Sequence, residues 1–117
     1  MQTHQEATDA FDYDTLVRET LSGTLEAMNA CVECCDRHAL PGRIALFYEG
    51  RDGTASTHTF AELRKQAARF AGFLKAQGVQ PGDRIACLLP RTPELLVVLL
   101  GAWRAGAVYV PLFTAFG

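Results

Sequence analysis

Apolar positions along the chain fall into patterns of two periods. The clearest is helical. Leu63, Ala67, Phe70, Ala71 and Leu74 recur at spacings of three and four, which gives one apolar face. Thr59 and Glu62 ahead of it form a capping box, each side chain satisfying a backbone donor at the helix start, and Gly78 stops the helix. Further on, residues 85–89 and 107–110 are apolar without alternation and flank a second helical stretch. Thr92 stands where a cap is needed, Pro93 suits the first helical position, and Glu94 sits in the first turn. Arg104 lies in the last turn and Gly106 follows as a left-handed stop. Strand, helix, strand in this order predicts a parallel βαβ unit. Unbroken apolar strands are expected to be covered on both faces. Gly101, inside the helix, is expected to mark close packing on the sheet.

The first half is less regular. Residues up to about 12 read as a mobile start. Asp14 is placed to cap a short helix over residues 15–21, with Leu16, Val17, Thr20 and Leu21 on one side. A second helix is predicted over residues 28–38, ended by Leu40-Pro41-Gly42. Residues 43–49 read as a strand with Ile44, Ala45, Leu46 and Phe47 as a buried run. Asp52-Gly53 makes the turn, and residues 56–59 return as the second strand of a hairpin. Pro81-Gly82 turns the chain into the strand at Arg84. The fold class expected is α/β: a parallel βαβ unit preceded by a hairpin and helices.

Residues 95–113 carry one charge, Arg104, and approach the length of a membrane span. The interruptions at Arg104, Gly106 and Pro111 fit a βαβ unit better than a lipid-embedded helix, so no membrane span is expected. At 117 residues the chain is one domain or part of one. Hydrophobic residues make up 49%, enough for a core. The net charge of −2 offers no basic surface for nucleic acid. The polar, acidic first residues are unlike a secretory signal. A cytoplasmic protein with four reduced thiols is expected.

Cys31, Cys34, Cys35 and His38 form the first candidate for chemistry. Four ligands suit tetrahedral zinc, but dedicated sites draw ligands from two segments, and one helix turn seldom presents four. Small buried thiols on an amphipathic helix are the favoured reading, and Cys87 belongs to a strand core. No metal ligand or catalytic residue is therefore assigned. His4, His38 and His58 are scattered, and Gly101, Gly106 and Gly117 make neither a dinucleotide fingerprint nor a phosphate loop. The remaining candidate is the pair of segments leaving the carboxyl ends of the parallel strands, where ligands of open α/β sheets bind. These are Pro90-Arg91-Thr92 and residues 111–117. Arg91 there can steer an anion, although exposed arginines are more often simply solvated.

Three stretches resemble AMP-forming adenylating enzymes. Residues 57–63, THTFAEL, are similar to their first core motif, Leu-Thr-Tyr-x-Glu-Leu. Residues 78–86, GVQPGDRIA, are similar to their Gly-Val-x-x-Gly-Asp-Arg-Val-Ala turn and strand. Residues 103–112, WRAGAVYVPL, resemble their second core motif, Lys-Ala-Gly-Ala-x-Tyr-x-Pro-Leu. Asn29-Ala30-Cys31, residues 35–39 and the closing PLFTAFG resemble the acetate-type branch of acyl-CoA synthetases.

The resemblance implies residues 1–28 as a lead-in with a short helix and residues 29–117 as the N-terminal part of an AMP-binding domain. It implies a parent ligase that joins a short- or medium-chain carboxylate to ATP, releases pyrophosphate, and passes the acyl group to coenzyme A with magnesium assisting. The family's Ser/Thr/Gly-rich phosphate loop, ribose-binding aspartate and catalytic lysine do not occur in these residues. The chain alone is therefore expected to be inactive and to hold none of these cofactors tightly. The one ligand contact the resemblance implies is coenzyme A at Phe113, Thr114, Ala115 and Phe116. The alternative is a non-catalytic α/β binding module. An isolated chain is expected to self-associate through an apolar sheet edge.

Overall fold

The structure, a computed structural model, describes residues 3–114. The expected mobile start instead contains a helix, α1 (His4–Asp9). Thr3 and Glu6 cap it reciprocally, a Thr-x-x-Glu box of the kind seen at Thr59. The next helix, α2 (Tyr13–Thr20), is capped by Asp12 rather than Asp14: the Asp12 carboxylate accepts from the Thr15 amide at 3.1 Å.

The helix expected over residues 28–38 is broken. It comprises α3 (Ala30–Cys34) and a 3-10 turn, Asp36–His38, joined at Cys35, whose backbone leaves the helical region at φ −131°, ψ −60°. Long-range contacts pull the two halves apart. Cys31 and Cys35 are both buried, at 0% and 1% exposure, while the Asp36 carboxylate reaches the Arg104 guanidinium. A continuous helix would hold all three in one fixed fan.

A hairpin follows, β1 (Ile44–Glu49) paired antiparallel with β2 (Ala55–Thr59). The register shifts between Ile44 and Leu46, so Ala45 is an extra residue, a bulge. The expected buried run 44–47 is not buried: Ile44 and Phe47 are exposed, Phe47 at 78%. One face of this two-stranded ribbon packs inward and the other is open, so burial alternates after the bulge.

Next comes α4 (Phe60–Ala76), entered through the Thr59–Glu62 capping box as expected. Leu63, Ala67, Ala71 and Leu74 are its buried face. At its end the Gly78 amide donates to Lys75 O and the Val79 amide to Leu74 O. This double bond pattern needs the left-handed Gly78, φ 87°. The unit β3 (Arg84–Cys87), α5 (Pro93–Arg104), β4 (Val108–Pro111) follows, and β3 pairs parallel with β4, Arg84 opposite Val108 and Cys87 opposite Pro111. Its helix ends the same way, with Gly106 and Ala107 amides donating to Trp103 O and Ala102 O. At the other end Thr92 holds the cap position but makes no side-chain cap bond; its hydroxyl instead lowers the pKa of the Glu94 carboxyl.

The core lies between α4 and α5. Leu63, Ala67 and Leu100 cluster with Cys31 and Cys35; Leu74, Ala102 and Ala107 form a second cluster against the sheet. Gly101 marks close packing, but on α4 rather than on the sheet. A Cβ there would stand 3.0 Å from Ala67 O and 2.7 Å from a Phe70 ring carbon. Cover on both faces of β3–β4 is not seen among the described residues. Ile85, Cys87 and Tyr109 face the helices, whereas Val108 is 50% exposed on the other face. No helix of the described residues is long and apolar enough to cross a membrane.

Candidate functional site

Parallel pairing brings the carboxyl ends of β3 and β4 together and so fixes where the following segments leave. The Leu112 amide donates to Cys87 O at 2.9 Å, which extends the pairing one residue past β4. Beyond β3, the Thr92 amide turns back onto Pro90 O at 2.8 Å and starts α5. Between these exits lies a cleft of about 200 Å³, lined by Leu89, Arg91, Leu95, Tyr109, Pro111, Leu112, Phe113 and Thr114. The sequence reading placed its candidate ligand contacts here, and the structure brings Arg91, Phe113 and Thr114 together at it. Ala115 and Phe116 lie outside the described residues.

The cleft has an apolar floor and a mixed rim. Tyr109 forms part of the floor. Burial, and then a hydrogen bond with the Cys87 thiol, push its phenol up to about 12. It therefore stays neutral and offers a polar point without a charge. Phe113 is 71% exposed and presents an aromatic surface at the mouth, with Arg91, also exposed, on the same rim. Among the described lining residues there is no carboxylate, histidine or thiol. The arrangement can hold a ligand with a flat or apolar part and an anionic group. It supplies no base or nucleophile.

A larger cavity, about 480 Å³, opens where α4 and α5 end, lined among others by Gly72, Lys75, Gln80, Pro81 and Arg104. It lies beside Pro81 and Ala105, at the amino ends of the parallel strands. Ligands of open α/β sheets bind at the opposite end, so size does not select it.

The cysteine–histidine group does not converge on one point. Cys31 and Cys35 face the core, Cys34 is exposed, and the His38 ring packs at a tilt against Phe60 with centroids 5.4 Å apart. Burial pushes the Cys35 thiol up to about 11 and raises that of Cys31, as expected of core thiols. Among the described residues no three His, Cys, Asp or Glu side chains are gathered to hold a metal ion. Among the described residues there is also no glycine-rich cradle for the phosphates of ATP.

Sequence reasoning missed the side chains that tie these elements together. Asn29 caps α3 with its side-chain oxygen, at 3.0 Å from the Cys31 amide, and donates to Trp103 O at 3.1 Å at the end of α5. Asp36 pairs with Arg104, both side chains largely buried. Glu33 accepts from the Ser22 and Gly23 amides and pairs with Arg37, fastening the chain after α2 to α3. The Asn29-x-Cys31 cap was legible as a helix start. Nothing local announces partners 68 or 74 residues away.

Comparisons with known proteins bear on this arrangement. The AMP-binding enzyme family model matches residues 35–117. The chain is 42% identical over 93 residues to the acetyl-coenzyme A synthetase of Caulobacter vibrioides, covering 76% of this chain and 14% of that protein. The crystal structure of Brucella canis acyl-CoA synthetase superposes at a TM-score of 0.94 with 44% identity, over 100% of this chain and 22% of that one. The structure of ATP-bound MatB from Rhodopseudomonas palustris matches at a TM-score of 0.62 with 37% identity, over 76% of this chain and 17% of that one. The chain thus spans between an eighth and a fifth of the length of the curated relatives it matches.

Proposed function

Because the chain belongs to the AMP-binding enzyme family, we propose that it forms the N-terminal part of an acyl-CoA synthetase. The whole protein joins a short- or medium-chain carboxylate to ATP, with magnesium, and hands the acyl group to coenzyme A. The observation that carries this reading is the superposition of the entire chain on an acyl-CoA synthetase at a TM-score of 0.94. The acetyl-coenzyme A synthetases among its relatives favour a small carboxylate.

In this reading residues 1–28 are a lead-in and residues 29–117 belong to the adenylation domain. Asn29, which ties the start of α3 to the end of α5, supports that boundary. The chain contributes scaffold and one binding edge. Phe113, Thr114, Ala115 and Phe116 contact coenzyme A, the first two of them at the cleft beyond β4, with Arg91 on the rim for an anionic group. The chain alone does not catalyse adenylation and holds neither ATP nor coenzyme A tightly. Isolated, it self-associates through the uncovered face of β3–β4, where Val108, Leu88 and Leu112 are exposed. A single monomer peak in size-exclusion chromatography would count against that last point. The place of action is the cytoplasm.

A chimera tests the reading. The chain replaces the corresponding segment of the Caulobacter vibrioides acetyl-coenzyme A synthetase. Acetate-dependent ATP–pyrophosphate exchange should survive within about tenfold, a loss of about 1.4 kcal/mol in transition-state binding. In the same chimera, Phe113→Ala should raise the KM for coenzyme A and leave exchange unchanged, since exchange precedes thioester formation. A soluble, folded chimera without acetate-dependent exchange contradicts the assignment. An unchanged KM contradicts the contact.

A further inference from the structure

The short helix α3 carries Cys31-Val32-Glu33-Cys34, two thiols three residues apart, and the cleft uses neither. Their environments differ sharply. Cys34 is exposed, while Cys31 is completely buried, its thiol donating to Asp36 Oδ1 at 4.0 Å, and Asp36 in turn pairs with Arg104. Cys31 thus sits at the Asp36–Arg104 pair that joins the 3-10 turn to the end of α5. On a helix, side chains three apart are neighbours, with Cβ atoms about 5–6 Å apart. A disulfide needs about 3.5–4.5 Å between Cβ atoms, so the turn must give by roughly 1 Å. This turn is suited to give. Cys34 is the last residue of α3, and the backbone has already left the helix at Cys35.

We propose that Cys31 and Cys34 form a reversible redox pair that responds to hydroperoxides and loosens α3 from α5 when oxidised. The Cys34 sulfur, the accessible one, attacks the terminal oxygen of the hydroperoxide. The O–O bond breaks, the alcohol (or water) leaves, and Cys34 becomes a sulfenic acid, oxidised by two electrons. The Cys31 sulfur then attacks the Cys34 sulfur. An S–S bond forms, the S–O bond breaks, and hydroxide leaves with the Cys31 proton as water. Two thiols and one hydroperoxide thus give one disulfide, one alcohol and one water. A dithiol reductant reverses the change. The resolving step draws the Cys31 sulfur out of its place beside Asp36 and Arg104, so oxidation disturbs the joint between α3 and α5. Cys35 is a poor partner for Cys34, because consecutive Cα atoms stand only about 3.8 Å apart, short of the roughly 4.4–6.8 Å that disulfides span.

The experiment is hydroperoxide treatment of the reduced 117-residue chain, followed by intact-mass and peptide analysis. The expected result is a loss of about 2 Da, two hydrogens, mapped to a Cys31–Cys34 link. Dithiothreitol should reverse it, and it should persist in Cys35→Ser and be absent in Cys34→Ser. The oxidised chain should melt lower by about 4 °C or more. Cys34 is exposed, so its serine variant should fold as the parent does, which the same melting curve verifies. A link to Cys35, oxygen addition without a link, disulfides only between chains, or an internal link that leaves melting unchanged each overturn the proposal.

Discussion

The same substitution at two helical glycines should have opposite effects. Replacing glycine by alanine inside a helix gains about 0.8–1.0 kcal/mol, because alanine loses less backbone freedom on folding. Gly72 lies on the exposed side of α4, and an added Cβ meets nothing within 4 Å, so Gly72→Ala should keep that gain. Gly101 is buried in α5 against α4. There the added carbon would stand 2.7 Å from the Phe70 ring and 3.0 Å from both Phe70 Cβ and Ala67 O. The ring can tilt, but the Ala67 carbonyl moves only if α4 moves. Overpacking of this kind costs about 1–3 kcal/mol. With two of three contacts on or next to backbone, the upper half of that range applies, and Gly101→Ala should lose about 1–2 kcal/mol net. Urea denaturation followed by fluorescence measures both, since Trp103 is the only tryptophan and packs against the core at this interface. The difference between the variants should be about 2–3 kcal/mol. A Gly101→Ala chain as stable as the parent would refute the α4–α5 packing. A Gly72→Ala chain that loses stability would refute the propensity argument.

Two further outcomes follow from the electrostatics. Tyr109 has its phenol raised to about 12 in the folded chain, against about 10 when unfolded. Its stabilising contribution is therefore complete below about pH 10 and is lost as pH rises through about 12. Urea midpoints should fall less steeply across that window in Tyr109→Phe than in the parent; equal slopes would contradict the shift. Asp36→Ala leaves the largely buried Arg104 guanidinium without its carboxylate and should cost about 1–3 kcal/mol in urea denaturation, between the values for surface and buried pairs. A cost below about 0.5 kcal/mol would mean that the pair does not join the 3-10 turn to α5.

The parts of the fold that were legible in the sequence have local causes. The Thr59–Glu62 box, the spacing of Leu63 to Leu74, and the glycine stops at Gly78 and Gly106 each act within a few residues, and all appear in the structure. The break at Cys35 and the bulge at Ala45 were not legible, because each answers to a distant contact. Asp36 is drawn to Arg104, and Ala45 packs on the Cys31–Leu63 cluster. The Thr3–Glu6 box was legible and overlooked, since the acidic composition around it reads as a tail. Gly101 signalled a close approach correctly but could not name the partner; a helix glycine fits a helix as well as a sheet. At the site, strand order alone located Arg91 and Phe113. The neutral Tyr109 at its floor was hidden, since its state depends on burial and on Cys87 beside it.

In the function proposed above, these residues provide the scaffold and one rim of an acyl-activating site without its phosphate-binding parts. Carboxylate-dependent ATP–pyrophosphate exchange on the 117-residue chain alone tests it most directly. None is expected above the enzyme-free rate with acetate, ATP and magnesium. Exchange that requires acetate and grows with the concentration of the purified chain would contradict it.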